Sequence, residues 1–180
     1  LYQRGLMLKS KPFAVGVRIE HSQQKINESQ YGVHYPSILP PASYKLTYQT
    51  SKNRGVYSFC MCPGGYVVNA SSTKNHLVIN GMSEHQRDSL NANSALIVTV
   101  NEQDFGPGVF DGIKFQEALE QKAYQISKGS IPMQTYQDFV HNQNSSKIGK
   151  VKPITKGEVI PANLNTLFPP FILEALKEAI

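Results

Sequence analysis

Alternating apolar and polar residues predict the strands of this chain. Every second side chain from Phe13 to Ile19 is apolar, which is typical of a half-buried strand. The most apolar run covers residues 95–100 and predicts a central strand. Pro63-Gly64-Gly65 predicts a hairpin turn, because Pro fixes φ and Gly supplies a positive φ. Runs of aromatic and β-branched residues predict further strands at 44–49, 56–62, 66–70 and 77–80.

Apolar residues at helical spacing predict two main helices in the second half of the chain. One covers residues 111–127 and the other begins at about Pro170. Shorter helices are predicted at 22–30 and after a capping box at Ser83 and Gln86. Strands therefore come before the main helices, which favours an α+β fold. We expect a largely antiparallel or mixed β-sheet of about six strands, two main helices and short capping helices, with an irregular loop region at 128–162.

Composition narrows the class of protein. A chain of 180 residues with 40% hydrophobic and 17% charged residues suits one folded domain and excludes a disordered acidic segment or a coiled coil. Two cysteines exclude a disulfide scaffold and suit a reducing, cytoplasmic location. No apolar run reaches the roughly 20 residues of a membrane span. There is no initiator methionine, and a helical pattern continues to Ile180. We therefore expect residues 1–180 to be one domain cut from a larger protein.

Cys60-Met61-Cys62 is the first chemical candidate. Residues two apart on a strand share a face, so Cys60 and Cys62 are either a reactive thiol pair or two small core residues. The following Pro63-Gly64-Gly65 either lets the backbone approach a flat ligand closely or is a plain turn. No phosphate-binding glycine loop is present, and no pair of histidines has the spacing of a metal site.

Polar residues form two further candidates. A ligand-binding loop or a simple connection is predicted where charged, amide and hydroxyl side chains are dense before the central strand: Arg87, Asp88, Asn91, Asn93 and Ser94. The net charge of +5 and the basic, aromatic run Tyr44-Lys45 with Tyr48 leave a different class open. This alternative is a β-rich module that binds a protein or single-stranded RNA.

The same segments resemble the bacterial FAD-dependent, or NAD(FAD)-utilising, dehydrogenase family, whose members are mostly uncharacterised. The resemblance covers nearly the whole chain. It is carried by GVRIEH at 16–21, YKLTYQ at 44–49, RGVYSFCMCPGG at 54–65, VVNASS at 67–72, NGMSEHQRDSLNANSALIVTV at 80–100, FQEALEQKAYQ at 115–125 and FPPFILEALKEAI at 168–180.

The resemblance implies an inserted domain that closes over a flavin. In the family, two separated segments hold FAD, and this chain contains neither, so FAD is expected in the intact parent and not in this chain alone. The resemblance leaves NAD(P)H open as the electron partner. By analogy, Cys60 and Cys62 are implied as catalytic residues and Pro63, Gly64 and Gly65 as a flavin-facing wall. Residues implied for orienting an unknown small-molecule substrate are Arg18, Lys45, Arg87, Asp88, Asn91, Asn93 and Ser94.

The interpretation that follows is a substrate or cap domain of an FAD-dependent oxidoreductase. It would cover the flavin, shape the substrate pocket and be inactive alone. Its expected partner is the FAD-binding domain of the same parent chain, with no nucleic acid and no membrane.

Overall fold

A four-stranded antiparallel sheet forms the centre of the fold, in a computed structural model that describes residues 1–180. The run at 95–100 is confirmed as part of a central strand, which begins at Asn91 and pairs on both sides. The strands lie in the spatial order β1 (Phe13–Ser22), β6 (Asn91–Val100), β3 (Gly55–Cys62) and β2 (Thr47–Gln49).

Two smaller sheets complete the β structure. One is mixed and has the order β5 (Ile79–Ser83), β4 (Gly65–Asn69) and β8 (Thr155–Lys156). The other is a parallel pair of β7 (Ile131–Met133) and β9 (Val159–Pro161). Residues 128–162, expected to be irregular, therefore supply three short strands as well as a short helix.

Five α-helices accompany the sheets, and both predicted main helices are confirmed. Short 3-10 turns occur at Tyr2–Arg4 and Leu164–Thr166. None of the helices has the length and apolar character needed to cross a membrane. The helices are α1 (Gln23–Tyr31), α2 (Glu102–Phe105), α3 (Asp111–Ser127), α4 (Tyr136–Val140) and α5 (Pro170–Ala179).

The core lies on one face of the central sheet. Side chains alternate along β6, so Leu96, Val98 and Val100 point to the same face and are buried. They pack against the apolar side of α5, where Ile172 and Leu176 are fully buried. Burying each such side chain contributes roughly 1.5–3 kcal/mol. Helix α5 therefore covers one face of the sheet, and the opposite face is available for other contacts.

The hairpin predicted around Pro63-Gly64-Gly65 is wrong. The strands before and after the turn belong to different sheets, because β3 pairs with β2 and β6 whereas β4 pairs with β5 and β8. The turn is held from outside: Gly64 N donates to the buried Gln23 side chain at 2.7 Å, and Ser83 Oγ donates to the Pro63 carbonyl at 2.7 Å. A local turn signal thus marks a passage between sheets.

The helix predicted after Ser83 is also wrong. Ser83 ends β5, and residues 84–90 form an irregular loop. The Ser83 hydroxyl is occupied by the Pro63 carbonyl, so it does not cap a helix. Two strand predictions shift as well: 77–80 becomes Ile79–Ser83, and 44–49 is a regular strand only at Thr47–Gln49.

Gly64 provides a test of this passage between sheets. Its φ is +50°, and an added Cβ would collide with the carbonyl oxygen of Arg87. We expect Gly64→Ala to lower the free energy of unfolding by roughly 2–4 kcal/mol in urea denaturation, from the positive φ and the collision together. Gly5→Ala is the control, because Gly5 has a φ of +84° and open space around it. It should cost about 1 kcal/mol. Equal losses for both variants would contradict the packing described here.

Candidate functional site

An open groove of about 690 Å³ borders β1 and the face of the central sheet opposite the core. Tyr57, Phe59, Ala95 and Ile97 supply that face, and register places them in two cross-strand pairs. Residues 77–80, α3 and the segment 164–168 contribute the other walls. Most of the lining is apolar, and its charged side chains are those of Arg18 and Glu120.

A bulge in β3 shapes the groove near Arg18. Phe59 pairs with Ala95 and Cys62 pairs with Asn93, so Cys60 and Met61 together oppose a single residue. Cys60 accommodates the extra residue with a φ of +50°, which is uncommon for a side chain other than Gly, Asn or Asp. The bulge therefore turns Cys62, in place of Met61, to the face that carries Asn93.

Arg18 crosses the sheet to reach this bulge. It lies on β1 opposite Ala95, whose small side chain leaves room above β6. Its Nε donates to Asn93 Oδ1 at 2.7 Å, and its Nη2 donates to the Cys60 carbonyl at 2.7 Å and to Cys62 Sγ at 3.5 Å. One side chain thus joins three neighbouring strands.

The strand β5 closes over the guanidinium. Arg18 Nη1 donates to Asn80 Oδ1 at a longer distance of 3.4 Å. An added Cβ at Gly81 would collide with the guanidinium and with Asn93 Oδ1. A glycine is therefore needed for β5 to lie this close to Arg18.

Arg18 has no carboxylate partner. Glu20 is on the same face of β1, but its Oε1 accepts hydrogen bonds from Asn91 Nδ2 at 3.0 Å and from Ile154 N at 2.9 Å. Arg54 provides the contrast, because both of its terminal nitrogens donate to Asp104 at 2.8 Å. Burial lowers the pKa of Arg18, yet a guanidinium stays charged at neutral pH. The groove thus contains a half-buried cation held by neutral acceptors.

The two cysteines differ in their surroundings. Cys60 is exposed and lines the groove, whereas Cys62 is buried. Desolvation raises the pKa of the Cys62 thiol, an effect that the charge of Arg18 opposes. Cys62 is therefore a neutral thiol at pH 7 and does not neutralise Arg18. Both residues hold the guanidinium, Cys60 through its carbonyl and Cys62 through its sulfur.

Comparison with known proteins adds the family. The family model described as "FAD-dependent protein, C-terminal domain-like" matches residues 12–180. The chain belongs to this family. An uncharacterized protein of Clostridium beijerinckii is 46% identical over 185 residues, which cover 100% of this chain and 35% of the relative's length. The FAD-dependent character of the predicted family is confirmed, and the dehydrogenase activity stays a prediction.

This member of the FAD-dependent family brings only some of the predicted site residues together. Arg18, Cys60, Cys62 and Asn93 meet at the bulge. The predicted flavin-facing turn Pro63-Gly64-Gly65 is buried, and it is absent from the groove lining. Its role at a flavin stays a prediction.

The other predicted substrate residues lie apart from the bulge. Lys45, Arg87 and Asp88 are exposed and do not line the groove. Asn91 is buried and binds Glu20 and the Lys152 carbonyl, at 3.0 and 2.8 Å. Ser94 is buried, and alternation along β6 places it on the core face.

The groove of this FAD-dependent domain also contains residues outside the predicted set of site residues. Phe59 is 59% exposed and neighbours Cys60, and Asn80 contacts Arg18. A signal existed for Asn80, since Asn80-Gly81 opens the amide-rich stretch before the central strand. No local signal marks Phe59, because its orientation depends on register with Ala95.

The difference between the two thiols can be measured. We expect 5,5′-dithiobis(2-nitrobenzoate) to react with one thiol per native chain in a fast phase, because Cys60 is exposed. Cys62 should react roughly tenfold or more slowly, because it is buried and its pKa is raised. Cys60→Ser should remove the fast phase, and the matched variant Cys62→Ser should retain it. A fast phase that survives in Cys60→Ser would contradict the assignment.

Proposed function

We propose that this domain covers the flavin of an FAD-dependent oxidoreductase and shapes the pocket for its substrate. The family match supports a flavin in the parent protein. The observation that carries the proposal is the groove, which combines an exposed aromatic ring, Phe59, with the half-buried cation Arg18. Pockets for flat organic groups are mostly apolar, with a few placed polar groups that fix orientation.

The groove suits the ring of FAD and does not suit its pyrophosphate. Tyr57, Phe59 and Ile97 offer a flat apolar surface, and Arg18 with Asn80 offers polar groups at its edge. A pyrophosphate needs several cations or a helix N-terminus with glycines. Here the lining combines one cation with one carboxylate, Glu120. In this proposal the parent's FAD-binding domain holds the phosphates, so the isolated domain should neither retain FAD nor turn over.

The chain's own residues would orient the substrate and exclude water. When bound, FAD supplies the electron chemistry, and the protein supplies orientation and electrostatics. Arg18 would bind and orient a polar group of the substrate, and Phe59 would screen the flavin side from solvent. Cys60, which lines the groove, and the buried Cys62 stay predicted catalytic residues. NAD(P)H stays one candidate for the electron partner. An insertion of this domain between two FAD-binding segments is likewise part of the proposal.

The alternative of a single-stranded RNA module gains no support from the aromatic and basic run. Tyr44 packs against His21 with ring centroids 5.4 Å apart. Tyr48 Oη donates to Glu178 Oε1 at 3.3 Å, which places an acidic group beside this run. Base stacking needs free aromatic faces next to positive charge.

Flavin accessibility in the full-length parent tests the proposal. The purified protein should carry bound flavin, visible in its absorbance. Phe59→Ala should increase iodide quenching of flavin fluorescence by about twofold or more, because the side chain no longer excludes water. Tyr136→Ala is the control, since Tyr136 is 50% exposed and lies outside the groove lining. The proposal would be contradicted if the parent held no flavin, or if Phe59→Ala left iodide quenching unchanged.

A further inference from the structure

Two hydrogen-bond donors in the groove lack a good acceptor. Arg18 uses Nε and Nη2 in short bonds, but its Nη1 makes only the 3.4 Å contact with Asn80 Oδ1. Asn80 Oδ1 also accepts from Gly81 N at 2.8 Å, whereas Asn80 Nδ2 has no partner in the protein. Both residues line the groove. Donors on neighbouring side chains are therefore open to a ligand.

The charge at this point favours an anionic ligand. Arg18 is fixed by the Asn93 amide oxygen, the Cys60 backbone carbonyl and the Cys62 sulfur, and no carboxylate contacts it. Glu20 is the nearest acidic residue on the same face of β1. Its carboxylate already accepts hydrogen bonds from Asn91 Nδ2 and Ile154 N. A guanidinium presents N–H groups in a fixed fork that matches the two oxygens of a carboxylate.

The rest of the groove limits the ligand to one that is mostly apolar. Beyond Arg18 the lining on the same face of β1 runs back through Gly16 and Ala14, without a charge. The second charged side chain is an anion, Glu120, so a dianion such as a phosphate monoester would meet one cation and one carboxylate. A single negative charge on an apolar body matches this lining.

We propose that the groove binds a small carboxylic acid with an apolar tail, whose carboxylate accepts hydrogen bonds from Arg18 Nη1 and Asn80 Nδ2. This inference rests on the proposed function, because it assigns a substrate class to the pocket at the flavin. The apolar tail lies along the aliphatic and aromatic lining, and the carboxylate supplies the counter-charge that Arg18 lacks.

Binding of a matched pair of probes to the full-length parent tests the inference. The probes are 4-phenylbutyrate and its neutral amide, 4-phenylbutanamide, measured by isothermal titration calorimetry. The carboxylate should bind roughly tenfold or more tightly than the amide, as expected for a charge-assisted pair. Arg18→Met removes the charge and keeps an apolar stem, so it should abolish this preference by weakening carboxylate binding far more than amide binding. Arg4→Met, exposed at the N-terminal turn, is the matched control and should leave both affinities unchanged.

A second variant addresses loss of folding in Arg18→Met. Asn80 is exposed, so Asn80→Ala should fold, and it should weaken carboxylate binding by about threefold or more through loss of one donor. Equal binding of the two probes to the wild-type protein would overturn the inference. It would equally be overturned if Arg18→Met shifted the flavin reduction potential while the carboxylate preference persisted, because Arg18 would then pair with the flavin.

The same measurement separates this inference from the proposed function. A parent that holds no flavin but binds the carboxylate through Arg18 contradicts the flavin role and supports the ligand class. A parent that holds flavin and shows no Arg18-dependent preference supports the flavin role and overturns the ligand class.

Discussion

The guanidinium of Arg18 governs the arrangement of the candidate site, because a cation that leaves water must find hydrogen-bond acceptors. It finds them at Asn93 on the central strand and at the carbonyl of Cys60 on the next strand. The side chain thereby ties the edge strand β1 to the bulge in β3. Its hydrogen bonding is largely satisfied while its charge is left uncompensated. Half-buried charges of this kind are frequent at functional sites, where a ligand completes the pairing.

The contacts of Arg18 require both the bulge in β3 and the close approach of strand β5. Without the extra residue, strict alternation would bring Met61 to the face that now carries Cys62, and the carbonyl of Cys60 would belong to the regular ladder. Gly81 has the complementary effect, since only a residue without a side chain lets β5 approach the guanidinium. The buried turn at Gly64 connects these two parts, because it takes the chain from the bulged strand into the sheet that contains β5.

Structural features that depend on residues close in the chain can be predicted from the sequence. Features that depend on contacts between distant residues cannot. Strand β1 and both main helices follow from periodicity and the central strand follows from an apolar run, and both are local properties. The hairpin prediction fails because β3 and β4 do not pair with each other: β3 pairs with β2 and β6, and β4 pairs with β5 and β8. The prediction of a helix after Ser83 fails because the Pro63 carbonyl occupies the capping hydroxyl. Individual site residues such as Arg18 and Asn93 can be named as candidates from the sequence, because their side chains are charged or polar. How these residues come together depends on cross-strand register and on a bulge at Cys60, where no Gly, Asn or Asp in the sequence indicates a positive φ.

In the proposed function, ligand binding in this open groove would depend on the rest of the parent protein. In this chain Arg18 is half-buried and still reached by solvent, where an ion pair contributes about 0–1 kcal/mol. A flavin-bearing domain that covered the groove would exclude water and strengthen the attraction between the guanidinium and a carboxylate. It would also raise the cost of leaving Arg18 unpaired. Closure and carboxylate binding should therefore favour each other, since each lowers the free-energy cost of the other. In the proposed function, the uncompensated cation would couple ligand binding in the groove to coverage of the groove by the flavin-bearing domain.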